Sequence, residues 1–229
     1  MVTGHTSKIA QNLLEIQTRV MTAAVRANRD PASIIIIGVT KTTDAKGVID
    51  AFIAGLEDFG ENRVQVLEEK MAGMANIKPR SRWHMIGTLQ KNKINKALGL
   101  FDYIHSIDSV DLAQAVSKRA EKMVNIFIEV NVSGEKSKSG CSPQAVKEIA
   151  SEVQKLPNLK LLGLMTVAPE SHVAEDSRPY FKKLKELNDS LGLKFLSMGM
   201  TNDFEVAIEE GATHLRIGRA IFGEAPVST

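Results

Sequence analysis

Residues 34–39, Ile-Ile-Ile-Ile-Gly-Val, are mostly β-branched and bounded by turn signals, so they read as a strand buried on both faces. Lys41 stands just past its end. In parallel α/β proteins the carboxyl ends of strands carry the chemistry. Alternation puts Ile35, Ile37, Val39 and Lys41 on one face, so the amine is expected to cap an apolar column. Such surroundings disfavour the ammonium and favour the neutral nucleophile that captures a carbonyl. A solvated lysine opening a loop is the competing reading.

A second group of residues suits an anion. Met198-Gly199-Met200-Thr201-Asn202-Asp203 and Arg216-Ile217-Gly218-Arg219 each follow a short apolar run near the end of the chain. In barrels, the loops after the last two strands, with a short helix, often cradle phosphate. Gly218 lets backbone approach the anion, the amides of Gly218 and Arg219 donate, and the Thr201 hydroxyl adds a bond. A strand-end amine beside a phosphate cradle points to pyridoxal 5′-phosphate (PLP), which needs both.

These loops need a scaffold, and the periodicities supply one. Helical spacing over residues 5–29 leads the chain. Strands then read at residues 34–39, 58–59, 82–86, 102–106, 125–132, 159–167, 195–199 and 213–217. Each is followed by a helix: one capped by Asp44, then 61–71, 91–98, 109–122, 143–154 with Ser142 as cap, 178–190, 204–210, and a short one near Ala220. Eight β-α units in 229 residues predict one domain over residues 1–229, a single (β/α)8 TIM-type barrel with an extra N-terminal helix. An open doubly wound sheet is the alternative.

Composition narrows the function classes. A net charge of +2 gives no whole-chain reason to expect nucleic acid. The single cysteine, Cys141, excludes an intrachain disulfide and suits a reducing compartment. Residues 1–5 lack the basic-then-apolar order of a signal peptide, and no run is long enough to span a membrane. A cytoplasmic protein acting as a monomer is expected. Five histidines without ligand-like spacing predict no metal site.

The blocks Val39-Thr40-Lys41-Thr42, Gly60-Glu61-Asn62-Arg63-Val64-Gln65, residues 83–93, residues 131–140, residues 196–203 and residues 216–223 resemble, in order and over nearly the whole chain, the PLP homeostasis proteins. That family is similar to the barrel domain of alanine racemase. The resemblance implies that Lys41 holds PLP as a Schiff base, that Arg216 faces the pyridine nitrogen, and that Thr201, Gly218 and Arg219 hold the phosphate. It places Asn62 near the cofactor. It implies a protein that binds, stores or delivers PLP in vitamin B6 and amino-acid balance, with apo PLP-dependent enzymes as recipients and no efficient turnover. Thr201 stands where serine is frequent in the family, which preserves the hydroxyl.

An arginine beside the pyridine keeps that nitrogen unprotonated and the ring a weaker electron sink than one paired with Asp. A PLP-dependent amino-acid racemase is the enzymatic alternative, and a phosphate-ligand barrel without PLP is a third. Racemisation needs an acid/base on each face of the substrate carbanion. The only tyrosines, Tyr103 within a strand and Tyr180 at a helix start, do not suit the second base, so no catalytic residue is assigned. His84 and His105 read either as donors behind the cofactor or as satisfied core histidines, and His214 as structural. Lys91, Lys93, Lys96, Lys136 and Lys138 read as a solvated surface, with an RNA-binding rim as the outside alternative. Cys141 reads as a packed thiol or as one activated by a helix N-terminus.

Overall fold

The computed structural model describes residues 7–224. The first two residues of the helix expected over 5–29, and the N-terminal segment read for targeting, lie outside the described residues. The chain runs α1 (Lys8–Arg26), β1 (Ile35–Val39), α2 (Ala45–Ile53), β2 (Asp58–Glu61), α3 (Val64–Met71), β3 (Arg82–Met85), α4 (Ile94–Leu100), β4 (Tyr103–Ile107) and α5 (Val110–Arg119). It continues β5 (Val124–Glu129), α6 (Val146–Val153), β6 (Leu159–Met165), α7 (Arg178–Ser190), β7 (Phe195–Ser197), α8 (Phe204–Glu209), β8 (His214–Ile217) and α9 (Arg219–Phe222). All neighbouring strands pair in parallel and β8 closes on β1, so the sheet is a closed (β/α)8 barrel rather than an open one.

The extra helix α1 forms because Leu13, Ile16, Val20, Ala23 and Ala24 fall on one buried face. Ser7 caps it by accepting from the Ala10 N–H at 3.2 Å. That face packs on α8 and α9, so α1 braces the helix that follows the last strand. Each large aliphatic side chain buried there contributes about 1.5–3 kcal/mol relative to exposure. Predicted and observed boundaries differ mainly at loop ends. The helix expected from Pro143 begins at Val146, because residues 143–145 first form a turn in which the Ser142 hydroxyl accepts from the Ala145 N–H.

The wall of the barrel sorts its side chains by alternation. A Cβ on Gly38 would meet Leu56 and Phe222 in the helical layer, so Ile37 and Val39 face the opposite way, into the barrel. Strand faces toward the helices are apolar, with Trp83, Phe59, Ile104, Ile126 and Leu215 buried in one continuous core. The interior is mixed. Ile37, Phe127 and Met165 share it with the buried polar groups Asp58, His84, His105, Ser197 and Arg216.

Candidate functional site

β1 ends at Val39, and the next residues leave the strand. The Thr40 hydroxyl donates to the Glu61 carboxylate at 2.8 Å, and its N–H donates to the Gly60 carbonyl at 2.9 Å. Lys70 reaches back from α3 to donate to the Thr40 carbonyl at 2.6 Å and to Glu61 at 3.0 Å. Glu61, 1 % exposed, also accepts from the Asn62 N–H at 2.8 Å. A buried carboxylate with three partners thus clamps the ends of β1 and β2 together and fixes the backbone on both sides of the site.

Lys41 sits in the turn just beyond this clamp and is exposed. The expected apolar column above Ile35, Ile37 and Val39 does not enclose it. Its cause is the Thr40 anchor: once the chain turns there, strand alternation no longer aims the next side chain. Lys41 lines a cavity of about 570 Å³ with Thr42, Asp44, Glu69 and Lys70. A larger cleft, about 870 Å³, lies at the other end of the barrel against Leu98, Phe101, Arg119 and Val124, away from the strand carboxyl ends.

The last two β-α loops lie on the same mouth. Arg216 pairs in register with Ile37, and Ile217 with Gly38, so the end of β8 stands beside the end of β1. Gly218 follows, and a Cβ there would lie 3.3 Å from both the Cβ and the carbonyl of Val39. The loop therefore packs backbone to backbone beside the turn that carries Lys41. Arg219 opens α9 and is exposed. Thr201 is half-buried in the loop after β7. That loop turns at Gly199, whose φ of 91° and 2.6 Å approach to Ala207 leave no room for a side chain. Asp203 then locks it: its carboxylate accepts from the Met200 N–H at 2.7 Å and from the Ser177 hydroxyl at 3.0 Å.

Arg216 is 5 % exposed and points inward, donating to the Ser197 hydroxyl and to the Thr166 carbonyl, both at 2.7 Å. Burial lowers its pKa to about 10, against the opposing pull of Asp203 and Glu129, so it stays charged at neutral pH. Glu129, at the end of β5, is pushed up to about 7 by burial, with Arg216 opposing. Among the predicted residues, Arg216 and Gly218 stand beside β1 at its carboxyl end, with Lys41 on the turn after β1 and Arg219 at the start of α9. Asn62 follows β2 on the other side of β1, Thr201 lies on the loop after β7, and the cavity that Lys41 lines includes none of the others.

Glu61, Lys70, Glu129, Thr166, Ser197 and Asp203 support this mouth and were not singled out by the sequence reading. The block Gly60-Glu61-Asn62-Arg63 contained Glu61, but nothing in spacing alone pairs it with Lys70. His84 and His105 resolve as satisfied core histidines: His84 bonds Asp58 at 3.0 Å and His105 at 2.9 Å, and His105 bonds Ser197 at 2.8 Å. Cys141 is buried and its thiol is pushed up to about 12 by burial, which makes it the packed rather than the activated kind. Three of the five lysines read as a rim pair with carboxylates: Lys96 with Glu68, Lys91 with Asp111, Lys138 with Glu135. Among the described residues no group of His, Cys, Asp and Glu is arranged to hold a metal, and no helix is long and apolar enough to cross a membrane.

A family model described as the N-terminal domain of alanine racemase matches residues 5–226, which agrees with the barrel and fixes the class of protein. The chain is 42% identical over 223 residues to the pyridoxal phosphate homeostasis protein of Aquifex aeolicus, covering 93% of this chain and 97% of that one. PipY of Synechococcus elongatus, solved with PLP bound, superposes with a TM-score of 0.83 at 30% identity, covering 94% of this chain and all of that one. The chain belongs to the pyridoxal phosphate homeostasis protein family. Alanine racemase from Corynebacterium glutamicum shares the fold, with a TM-score of 0.68 at 15% identity over 96% of this chain and 62% of that one.

Proposed function

We propose that this chain binds PLP at the mouth of the barrel and serves intracellular vitamin B6 and amino-acid balance by holding and releasing it. The observation that carries the reading is the pairing of β1 with β8, which sets the turn of the exposed Lys41, the Gly218 loop and the strand of the buried Arg216 side by side at one end of the barrel. PLP, when bound, supplies an aldehyde for an amine and a pyridine ring that accepts electron density. Lys41 offers the amine, which forms the covalent Schiff-base anchor. Gly218 and Arg219 offer first-turn amides that lack intrahelical acceptors, and Thr201 offers a hydroxyl, together suiting a phosphate. Arg216 offers only N–H donors, so it suits an unprotonated pyridine nitrogen. Asn62 flanks the same opening. The site's glycine approach, donor set and single uncrowded amine fit the group.

Efficient racemisation is not part of this reading. Tyr103 opens β4 at the amino end of the barrel, the end opposite Lys41, and its ring stacks on His84 at 4.3 Å. Tyr180 lies in α7, packed against the helical core. A proton removed beside Lys41 then has no tyrosine of this chain to replace it from the other face. Purified, PLP-loaded protein should racemise alanine negligibly while restoring activity to an apo PLP-dependent enzyme. Robust L- to D-alanine turnover that vanishes in Lys41→Ala would overturn the carrier reading in favour of an enzyme. Failure to activate any apo-enzyme would remove the delivery role.

A further inference from the structure

The barrel interior contains a hydrogen-bonded chain that runs from Arg82 to Arg216. It starts at the amino end, where Arg82 holds Asp58 through two bonds, Nε to Oδ1 at 2.8 Å and Nη2 to Oδ2 at 2.7 Å. It continues from Asp58 Oδ1 to His84 Nε2 at 3.0 Å, from His84 Nδ1 to His105 Nε2 at 2.9 Å, and from His105 Nδ1 to Ser197 Oγ at 2.8 Å. It ends where Arg216 Nη1 meets that same oxygen at 2.7 Å. The step from His105 on β4 to Ser197 on β7 crosses the barrel, since those strands are not neighbours. His84, His105 and Ser197 are fully buried, so no water relaxes the constraint.

Both ends of this chain have fixed roles. Guanidinium only donates and an ionised carboxylate only accepts. Burial alone would raise the Asp58 pKa, but bonds from Arg82 and His84 overcome it and hold the group near 2, so it is ionised. Burial holds both imidazoles below their usual 6.5, hence neutral at pH 7. With neutral rings, one arrangement satisfies every contact. Arg216 donates to Ser197, the Ser197 hydroxyl donates to His105 Nδ1, His105 Nε2–H donates to His84 Nδ1, and His84 Nε2–H donates to Asp58. The reverse order would set an unprotonated His84 Nε2 against the carboxylate, or demand a buried imidazolium and leave the Ser197 proton without an acceptor. Stacking fixes the ring planes: His84 lies on Tyr103 at 4.3 Å and 8°, and His105 on Phe127 at 4.3 Å and 25°.

We propose that Asp58, His84, His105 and Ser197 form a one-way hydrogen-bond chain that positions Arg216, with Ser197 the positioning residue that ties the guanidinium to the far end of the barrel. Ser197 and the Thr166 carbonyl hold two of its nitrogens, which sets the direction in which the rest of the fork can point toward the mouth. That this direction concerns a pyridine nitrogen rests on the proposed function; the chain itself does not.

The test uses long-range ¹H–¹⁵N correlation of the histidine rings in ¹⁵N-labelled protein at pH 7, without PLP. His84 and His105 should both be neutral, protonated at Nε2, and hydrogen-bonded at Nδ1. An Nδ1–H tautomer or an imidazolium at either ring would overturn the chain. Ser197→Ala should shift the His105 Nδ1 resonance toward that of a free acceptor while His84 keeps its tautomer, and Ser197→Thr should restore the bond. If Ser197→Ala does not fold, the wild-type tautomers still decide the matter. After loading with PLP carrying ¹⁵N in its ring, Ser197→Ala should shift the pyridine nitrogen signal relative to wild type. An unmoved signal in loaded variant protein would refute the positioning role while leaving PLP binding intact. Absence of any bound PLP would instead strike the proposed function and leave the histidine result standing.

Discussion

At the carboxyl end of the strands, Lys41 on its turn and Arg219 at the start of α9 are exposed and Thr201 is half-buried; at the amino end and through the interior, Asp58, His84, His105 and Ser197 are buried and each is bonded on two sides. The mouth presents donors on exposed or half-buried residues, whereas the interior chain binds its polar groups to one another. Changes in the interior are therefore expected to cost stability, and changes at the mouth to cost binding. Arg216 belongs to both regions, bonded inward and flanked by the loops outward.

The largest effect that sharpens this contrast is expected from Asp58→Ala. It strips the acceptor from the half-exposed Arg82 and from the fully buried His84 Nε2–H, and a buried donor left unsatisfied costs about 1–3 kcal/mol. Urea unfolding should show a large drop in midpoint. A change below about 1 kcal/mol would mean that the interior is not the rigid half of the molecule.

Acid should act on the interior next. The folded pKa values of His84, His105 and His214 all lie below the usual 6.5 because of burial, His214 at about 3. As pH falls through 6.5 the unfolded chain therefore binds protons that the folded one refuses, and stability falls. Glu129 acts in the opposite sense. Raised to about 7, it keeps a proton in the folded state that the unfolded state releases down to its usual 4.5. Between pH 6 and 5 the three lowered imidazoles outnumber the one raised carboxyl, so on balance unfolding takes up protons and stability falls as the pH falls. Denaturation curves at several pH values measure that slope. A flat profile there would contradict the neutral histidine interior.

At the mouth, Thr201→Ala should weaken retention of PLP by about 1–2 kcal/mol, the value of one charge-assisted bond among several, and leave the unfolding midpoint nearly unchanged. Equilibrium dialysis against pyridoxal, which lacks the phosphate, provides the control: equal affinity for the two would refute the cradle. The smallest effect on stability is expected at Lys41 itself. The side chain is exposed, so Lys41→Ala should stay within about 0.5 kcal/mol of wild type.

The same contrast explains what could be read from the chain alone. Strand and helix periodicities and the Asp44 cap mark the eight units, because each is a local signal. The mouth was legible because loop chemistry is carried by short runs such as Arg216-Ile217-Gly218-Arg219. Alternation extended past Thr40 does not give the surroundings of Lys41, because a contact to Glu61 on the next strand ends it there. The interior chain joins residues from β2, β3, β4, β7 and β8, and single polar residues in apolar strands do not announce their partners. His84 and His105 were visible as residues but not as a pair.

The central claim, that Lys41 is the covalent anchor, is tested most directly by borohydride reduction of PLP-loaded wild-type protein followed by peptide mapping. The account predicts a pyridoxyl group on Lys41. A group on another lysine, or none after loading, would contradict it.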